Sequence, residues 1–332
     1  MSFSYLGEKI RDAAFALDPF QHVYIDNFLS DQHFTQISRA REIHVTGQTS
    51  DEELIKRLFE VGYKIIDFPG CITDWKEYVR WHANPAEGEI RNNSACEGYG
   101  VTLRLMNPDT PVLRDLIAYL ESIEFQTELA AKFDVDLKDV FFDGGVQKYL
   151  DGYEISPHPD VRNKAATYMV NINQGPDSEK CNYHTHFMKL RHERQYVQAL
   201  WEGNPDLERC WVPWEWCETV KMEPANNSIV LFSPADDTIH AVKTKYDHLK
   251  GQRTQLYGNL WFRNAPTLDK PEWNDLDIAG RLREPTVNIN GGLRLRSRLK
   301  RLIERVSPAS KKSDYVIEDR LRYDDRRDSQ PV

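Results

Sequence analysis

The side chains of this 332-residue chain that could do chemistry together fall in a few short places. One is Ser156-Pro157-His158-Pro159-Asp160, another is Ile239-His240-Ala241-Val242, and a third is Arg253. His158 and Asp160 are two apart in a stretch that reads as extended, with Val146-Gln147-Lys148-Tyr149 before it and a proline on each side of the histidine. Residues i and i+2 of an extended chain point the same way, so an imidazole and a carboxylate are offered side by side. A second imidazole from a distant strand, His240, would complete two histidines and one carboxylate on one face of a metal ion. That set leaves open coordination positions and suits non-haem Fe(II). A His-x-Asp triplet alone is common, so the surrounding elements must carry the case.

Composition narrows the setting. The chain is 40% hydrophobic and 29% charged, ordinary for a globular protein, and its length suits one β-rich domain with additions. A net charge of -9 argues against a general nucleic-acid binder, which carries a basic balance. Cys71, Cys96, Cys181, Cys210 and Cys217 are an odd set without tight spacing, which suggests neither a disulfide framework nor a zinc cluster. Met1-Ser2-Phe3-Ser4-Tyr5 lacks the pattern of a signal peptide, and no apolar run approaches the roughly 18 residues of a membrane span. A cytoplasmic location is expected.

The elements that must position these residues can be read in outline. His22–Leu29 is β-rich, Ser30 is placed as an N-cap, and Phe34, Ile37 and Ala40 follow at helical spacing. Ser50-Asp51-Glu52-Glu53 has the form of a capping box before Leu54 and Leu58. Thr110-Pro111 starts a helix whose apolar face is Leu113, Leu116, Ile117, Leu120 and Ile123, and a further short helix is expected over 127–135. Strands are expected at 22–28, 99–106, 145–150, 164–172, 228–233, 238–243 and 253–262. Helices first and strands after predict an α+β arrangement in one domain, helical over 1–140 and stranded over 141–265. Residues 174–222, with Trp201, Trp211, Trp214 and Trp216, read as an insertion, a lid or substrate platform on one reading and a structural subdomain on the other. Residues 266–332 form a C-terminal extension. It holds a basic helix over 293–306, which could touch an anionic membrane surface, and a charged tail.

Two strands carry a choice of faces. Tyr168, Val170 and Ile172 alternate with Thr167, Met169 and Asn171; Leu256, Leu260 and Phe262 alternate with Arg253, Gln255, Tyr257, Asn259 and Trp261. The apolar sets would pack under helices. The polar sets would either line an interior holding a metal and an anionic ligand, or face solvent on a one-sided sheet.

The order Gln147-Lys148-Tyr149, His158-Pro159-Asp160, Thr167-Tyr168-Met169-Val170-Asn171-Ile172-Asn173, Ser233-Pro234, Thr238-Ile239-His240-Ala241-Val242 and Arg253 ahead of Gly258-Asn259-Leu260-Trp261-Phe262 resembles the 2-oxoglutarate/Fe(II)-dependent oxygenase superfamily, close to its prolyl-4-hydroxylase-like branch. Phe20–Leu29 also looks like that branch's opening strand. The resemblance covers residues 18–264. It implies a double-stranded β-helix, or jelly roll, with the N-terminal helices packed on one sheet. It implies Fe(II) held by His158, Asp160 and His240, with 2-oxoglutarate as cosubstrate and O₂ as oxidant. Arg253, at the spacing of the family's cationic residue, would grip the distal carboxylate of 2-oxoglutarate bidentately. Tyr149 matches a tyrosine that hydrogen-bonds the same cosubstrate, and Tyr257 and Asn171 are placed in its neighbourhood. Arg162 and Arg104 are candidates to meet an acidic substrate.

The activity implied is oxidative decarboxylation of 2-oxoglutarate to succinate and CO₂, coupled to hydroxylation of a small molecule. Asp160 departs from the pattern of halogenating relatives, which replace this carboxylate. Hydroxylation of a protein or peptide side chain is the alternative within the family. A cupin-like metal hydrolase or isomerase, or a non-catalytic jelly-roll module binding glycans, are alternatives outside it. His184-Thr185-His186 resembles the paired histidines of cupins, but Lys189 and Leu190 stand near where a glutamate is expected. Substrate identity and oligomeric state are not readable.

Overall fold

Among the described residues, four of the six early helices begin where a short polar side chain accepts from an otherwise unpaired amide of the first turn. The computed structural model describes residues 2–84, 98–175, 177–264 and 266. Helix α1 spans Tyr5–Asp12. Helix α2 (Asp31–Ser38) starts with Ser30 Oγ accepting from His33 N, and α3 (Asp51–Glu60) with Ser50 Oγ accepting from Glu53 N. The capping box at α3 is displaced by one residue: the Glu53 carboxylate accepts from Thr49 N at 2.9 Å, not from Ser50. Helix α4 (Trp75–Ala83) is capped by Asp74, and α5 (Pro111–Leu120) carries its proline in the first turn. Helix α6 runs Ile123–Lys132, earlier than the expected 127–135, because Ser122 caps it at Phe125 N and Asp134 then turns left-handed at φ 54°.

The strands are β1 (Val23–Ile25), β2 (Tyr63–Ile65), β3 (Thr102–Leu105), β4 (Val140–Tyr149), β5 (Glu154–His158) and β6 (Lys164–Asn171). They continue with β7 (His186–Leu190), β8 (Cys217–Met222), β9 (Ile229–Phe232), β10 (His240–Lys243) and β11 (Arg253–Phe262), with helix α7 (Tyr196–Gly203) between β7 and β8. They form two antiparallel sheets, one ordered β1-β9-β6-β11-β4-β3-β2 and one ordered β5-β10-β7-β8. The chain is therefore α+β, as expected. Residues 174–222 do not stand apart as an insertion. They supply β7 and β8, half of the small sheet, and the pairing of Phe187 with His240 and of His186 with Ala241 joins its two halves.

The large sheet uses its two faces as the alternation implied. Val146, Tyr168, Val170, Leu256 and Leu260 pack with Leu54, Leu58, Leu113, Leu116 and Phe125 of the helices in the main core. At ~1.5–3 kcal/mol per fully buried aliphatic or aromatic side chain, this face supplies most of what holds the helices to the sheet. The opposite face contributes Met169, Val230 and Tyr257 to a smaller cluster with Phe187 of the small sheet and with Phe20 and Phe232. The interior between the sheets starts there. Lys148 sits on the helix face and is fully buried, with Nζ donating to Ile43 O at 2.8 Å, Thr254 Oγ1 at 2.9 Å and Gln252 Oε1 at 3.2 Å.

The basic helix expected over 293–306, the charged tail and Cys96 lie outside the described residues. No helix among the described residues is long and apolar enough to cross a membrane.

Candidate metal centre and its cavity

Strands β5 and β10 pair antiparallel with His158 directly opposite His240, so two residues remote in sequence become lateral neighbours. Their rings lie 4.4 Å apart between centroids. Each imidazole is fixed by the same local device: Nδ1 meets the carbonyl two residues back, Ser156 O at 2.7 Å and Thr238 O at 2.8 Å. A carbonyl only accepts, so Nδ1 carries the proton and Nε2 presents its lone pair. Asp160 completes the group beyond Pro159, in a left-handed backbone conformation with φ 77° that a non-glycine residue adopts only when its surroundings hold it there. Thr238 Oγ1, donating to Pro159 O at 2.7 Å, ties that turn to the start of β10. Ligand atoms of His158, Asp160 and His240 all lie within 4.8 Å of one another, and all three residues are buried.

The electrostatics suit a metal. Burial, reinforced by His240, pushes the His158 pKa down to about 3, and burial lowers that of His240, so both imidazoles are neutral and free to ligate. Burial opposes the charge of Asp160, but the Lys164 ammonium, which also hydrogen-bonds it, holds its carboxyl below the usual range. Lys164 is a site residue that the sequence reading missed. Its ammonium donates to Asp160 Oδ1 at 2.6 Å and to the Tyr257 hydroxyl at 3.2 Å. Thr167 Oγ1 lies 3.2 Å from Asp160 Oδ2 and 2.9 Å from Asn259 Oδ1.

Across the cavity from the small sheet, Arg253 opens β11 beside Tyr149 of β4, its partner in register. Arg253 is 2% exposed. Its guanidinium stacks 4.5 Å from the centroid of the Tyr149 ring and donates to Thr185 Oγ1 at 3.2 Å. Among the described residues no carboxylate pairs with it. With the Gln147 amide oriented so that both groups have partners, Gln147 nitrogen donates to the Tyr149 hydroxyl at 2.5 Å and Gln147 oxygen accepts from Arg104 at 2.7 Å. The Tyr149 proton is then uncommitted, and burial raises its pKa, keeping the hydroxyl a donor.

The metal group and Arg253 line a single cavity of about 700 Å³, with Tyr149, Tyr257, Arg104, Arg162 and Lys164 also in its wall. The other expected residues divide. Arg104 is held bidentately by Asp143 at 2.7 and 3.3 Å, and Arg162 lies 3.3 Å from Asp236 and stacks 3.8 Å over Trp201, so both are already engaged. Asn171 is turned away from the cavity: its amide donates to Glu223 O and Ala225 O and accepts from Gln255 Nε2 at 2.9 Å. His184 and His186 are not brought together. His184 bonds Ser178 O at 3.1 Å and His186 bonds Thr219 Oγ1 at 2.9 Å, while only Thr185 between them reaches the cavity.

A second group, Asp51, His82 and His248, also gathers potential ligand atoms within 4.8 Å, away from the cavity. The Asp151 amide donates to His248 Nδ1 at 3.2 Å, which puts the ring proton on Nε2, facing Asp51 Oδ1 at 2.9 Å. His82 bridges Asp51 at 2.7 Å and Asp151 at 3.2 Å. Protons fill this group, and it reads as an ionic clasp.

No protein-family model matches the chain, and no curated protein matches it. Among solved structures it is similar to a prolyl-4-hydroxylase from Pseudomonas putida, at 10% identity over 79% of this chain and 100% of that one, with a TM-score of 0.37. It is similar to a prolyl hydroxylase of Trichoplax adhaerens in complex with a hypoxia inducible factor oxygen degradation domain peptide fragment, at 12% identity over 78% and 90% of the two chains, with a TM-score of 0.41. A third is EvdO2 from Micromonospora carbonacea var. aurantiaca, at 11% identity, 70% and 99% coverage and a TM-score of 0.27.

Proposed function

We propose that this chain is an Fe(II)- and 2-oxoglutarate-dependent dioxygenase that hydroxylates a small organic molecule, built on a double-stranded β-helix and located in the cytoplasm. The fold assignment is supported by the path of the chain: β4, β6, β9 and β11 lie in the large sheet and β5, β7, β8 and β10 in the small one, as two sheets wound together require. The observation that carries the function is the pairing of two features in one cavity. The small sheet presents two neutral imidazoles and a carboxylate; the large sheet presents a buried guanidinium with no acid of its own among the described residues.

The donor set fits Fe(II): two nitrogen lone pairs and one hard oxygen, convergent and with a face left open. When bound, the metal would supply the O₂-dependent oxidative decarboxylation of 2-oxoglutarate to succinate and CO₂ that drives hydroxylation. The protein's own residues do the rest. Ser156 and Thr238 carbonyls hold the imidazole tautomers, and Lys164 and Thr167 orient Asp160. Arg253, braced by the Tyr149 ring and Thr185, would accept the distal carboxylate as a fork, with the Tyr149 hydroxyl as a further donor. A cavity of about 700 Å³ is of a size that encloses a small molecule together with the cosubstrate.

The test is anaerobic. Fe(II) and 2-oxoglutarate added to metal-free protein should produce a weak visible charge-transfer band requiring both, absent in His158→Ala and Asp160→Ala variants that keep their circular dichroism. Turnover without O₂ or 2-oxoglutarate, or an unchanged band in either variant, would sink the assignment and favour a cupin-like hydrolase.

A further inference from the structure

Arg253 is the first residue of β11, and the end of a strand is where a sheet ladder leaves backbone groups in need of other partners. On one side Arg253 stands opposite Tyr149 of β4; on the other, register with β6 begins only at Gln255. The guanidinium that the proposed function assigns to the cosubstrate is thus carried by a strand end. A fork that meets a carboxylate through two parallel bonds needs a fixed base, and a strand end does not supply one by itself.

Tyr246, in the turn from β10 to β11, supplies it. Its hydroxyl accepts from Arg253 N at 3.0 Å and donates to Tyr149 O, so one oxygen bridges the two residues at the end of the pair. Its ring meets the Tyr183 ring edge-on, 4.8 Å between centroids. Tyr183 stands two residues before Thr185, whose hydroxyl accepts from the Arg253 guanidinium. Tyr246 therefore touches the chain at all three parts of the anchor: the base of Arg253, the residue that braces it, and the segment that carries its hydroxyl contact. The turn is held from behind, with Tyr246 N donating to Asp151 Oδ1 at 2.8 Å and Lys245 N to Asn182 O at 2.9 Å. Tyr246 itself does not line the cavity, so any effect on a bound ligand has to pass through Arg253 and Tyr149.

We propose that Tyr246 is a positioning residue for the 2-oxoglutarate anchor, its hydroxyl setting the Arg253 guanidinium and the Tyr149 ring as one unit against the distal carboxylate. This role rests on the oxygenase reading and extends the site to a residue outside the cavity. A tyrosine that only stabilised the fold would leave the choice between ligands unaltered.

The experiment uses the full chain loaded with Ni(II), so that no turnover occurs. Calorimetry measures the affinity for 2-oxoglutarate, which has a distal carboxylate, and for oxalate, which chelates a metal but lacks one. Tyr246→Phe removes only the bridging oxygen. It should weaken 2-oxoglutarate about fivefold or more while oxalate affinity and nickel content stay close to those of the wild type. Tyr5→Phe is the control. The Tyr5 hydroxyl also accepts from a backbone amide, Ser30 N at 3.0 Å, but among the N-terminal helices, and its loss should lower the thermal midpoint without moving either ligand. Unchanged 2-oxoglutarate affinity in a folded Tyr246→Phe protein, an equal loss for 2-oxoglutarate and oxalate, or the same selective loss in Tyr5→Phe overturns the proposal while the wild type still binds 2-oxoglutarate. Failure of 2-oxoglutarate to bind the wild type overturns the oxygenase reading and this one with it. If Tyr246→Phe does not fold, Tyr183→Leu, which removes the ring that Tyr246 packs against, takes its place, and the same selective loss or its absence decides.

Discussion

Arg253 has an aromatic brace, one hydroxyl contact and, among the described residues, no acid, which under the proposed function leaves it to meet the cosubstrate. Arg253→Ala should raise the 2-oxoglutarate concentration needed for half-maximal succinate release at least tenfold and change the metal requirement little. Arg253→Lys should recover only part of the loss, because a point charge replaces a fork. An unchanged 2-oxoglutarate dependence in Arg253→Ala would move the anchor elsewhere. At this scale the sequence was informative where a residue's role depends on local spacing. His158 and Asp160 are two apart, and the fold gathers both into one group, although the strand ends at His158 and Asp160 reaches it through a left-handed turn at φ 77°. Lys164 was not legible, because a lysine entering a strand reads as a solvated side chain until its neighbour across the turn is known to be Asp160. Asn171 shows the converse: it occupies the face implied by alternation, yet its amide is consumed by Glu223 O, Ala225 O and Gln255.

Strand β11 pairs with β4 on one side and β6 on the other and brings Arg253, Tyr257 and Trp261 to the cavity. Its continuity depends on Gly258, which lies opposite Gly144 and Tyr168. A Cβ there would stand 2.5 Å from the Tyr168 hydroxyl oxygen, so the ring or the strand must shift. Gly258→Ala is expected to destabilise the protein by about 1–3 kcal/mol in chemical denaturation, in the range of overpacked cores; a smaller effect than that would mean Tyr168 has room to move. Several strands could be read from the sequence, including β6, β9, β10 and β11. The strands β7 and β8 could not. They sit in a polar stretch rich in tryptophan, and they exist as strands because β10 offers β7 an edge. Long-range pairing decided what local pattern left open.

Across the whole molecule, the clasp of Asp51, His82, His248 and Asp151 joins α3 and α4 to the turn after β4 and to the segment before β11. Tyr78 and Tyr246 face it, through the Tyr78 hydroxyl 3.5 Å from His248 Nδ1 and the Tyr246 amide 2.8 Å from Asp151 Oδ1. Hydrogen bonds to Asp151 and Asp51 raise the His82 pKa from 6.5 to about 9. A histidine raised on folding gives its full stabilisation below its unfolded value and loses it as pH rises through the folded one. Asp51 acts oppositely: burial opposes its charge, but hydrogen bonds from His248 and His82 hold it low, so its share fades only in acid. The stability difference between wild type and His82→Gln should therefore be largest near pH 6, on the order of 2 kcal/mol, and shrink toward pH 9. A difference independent of pH would mean that His82 acts through packing alone. Nothing in the sequence announced this clasp, since its members come from four separate segments.

The register that sets His158 against His240 has a consequence in time as well as in space. These residues are distant along the chain, and pairings of that kind form late in folding because loop closure must come first. A chain that has its helices and the large sheet but has not yet closed β5 onto β10 offers an ion only scattered ligands. Under the proposed function, ion uptake would count finished molecules, and during refolding it should lag every signal that reports helices.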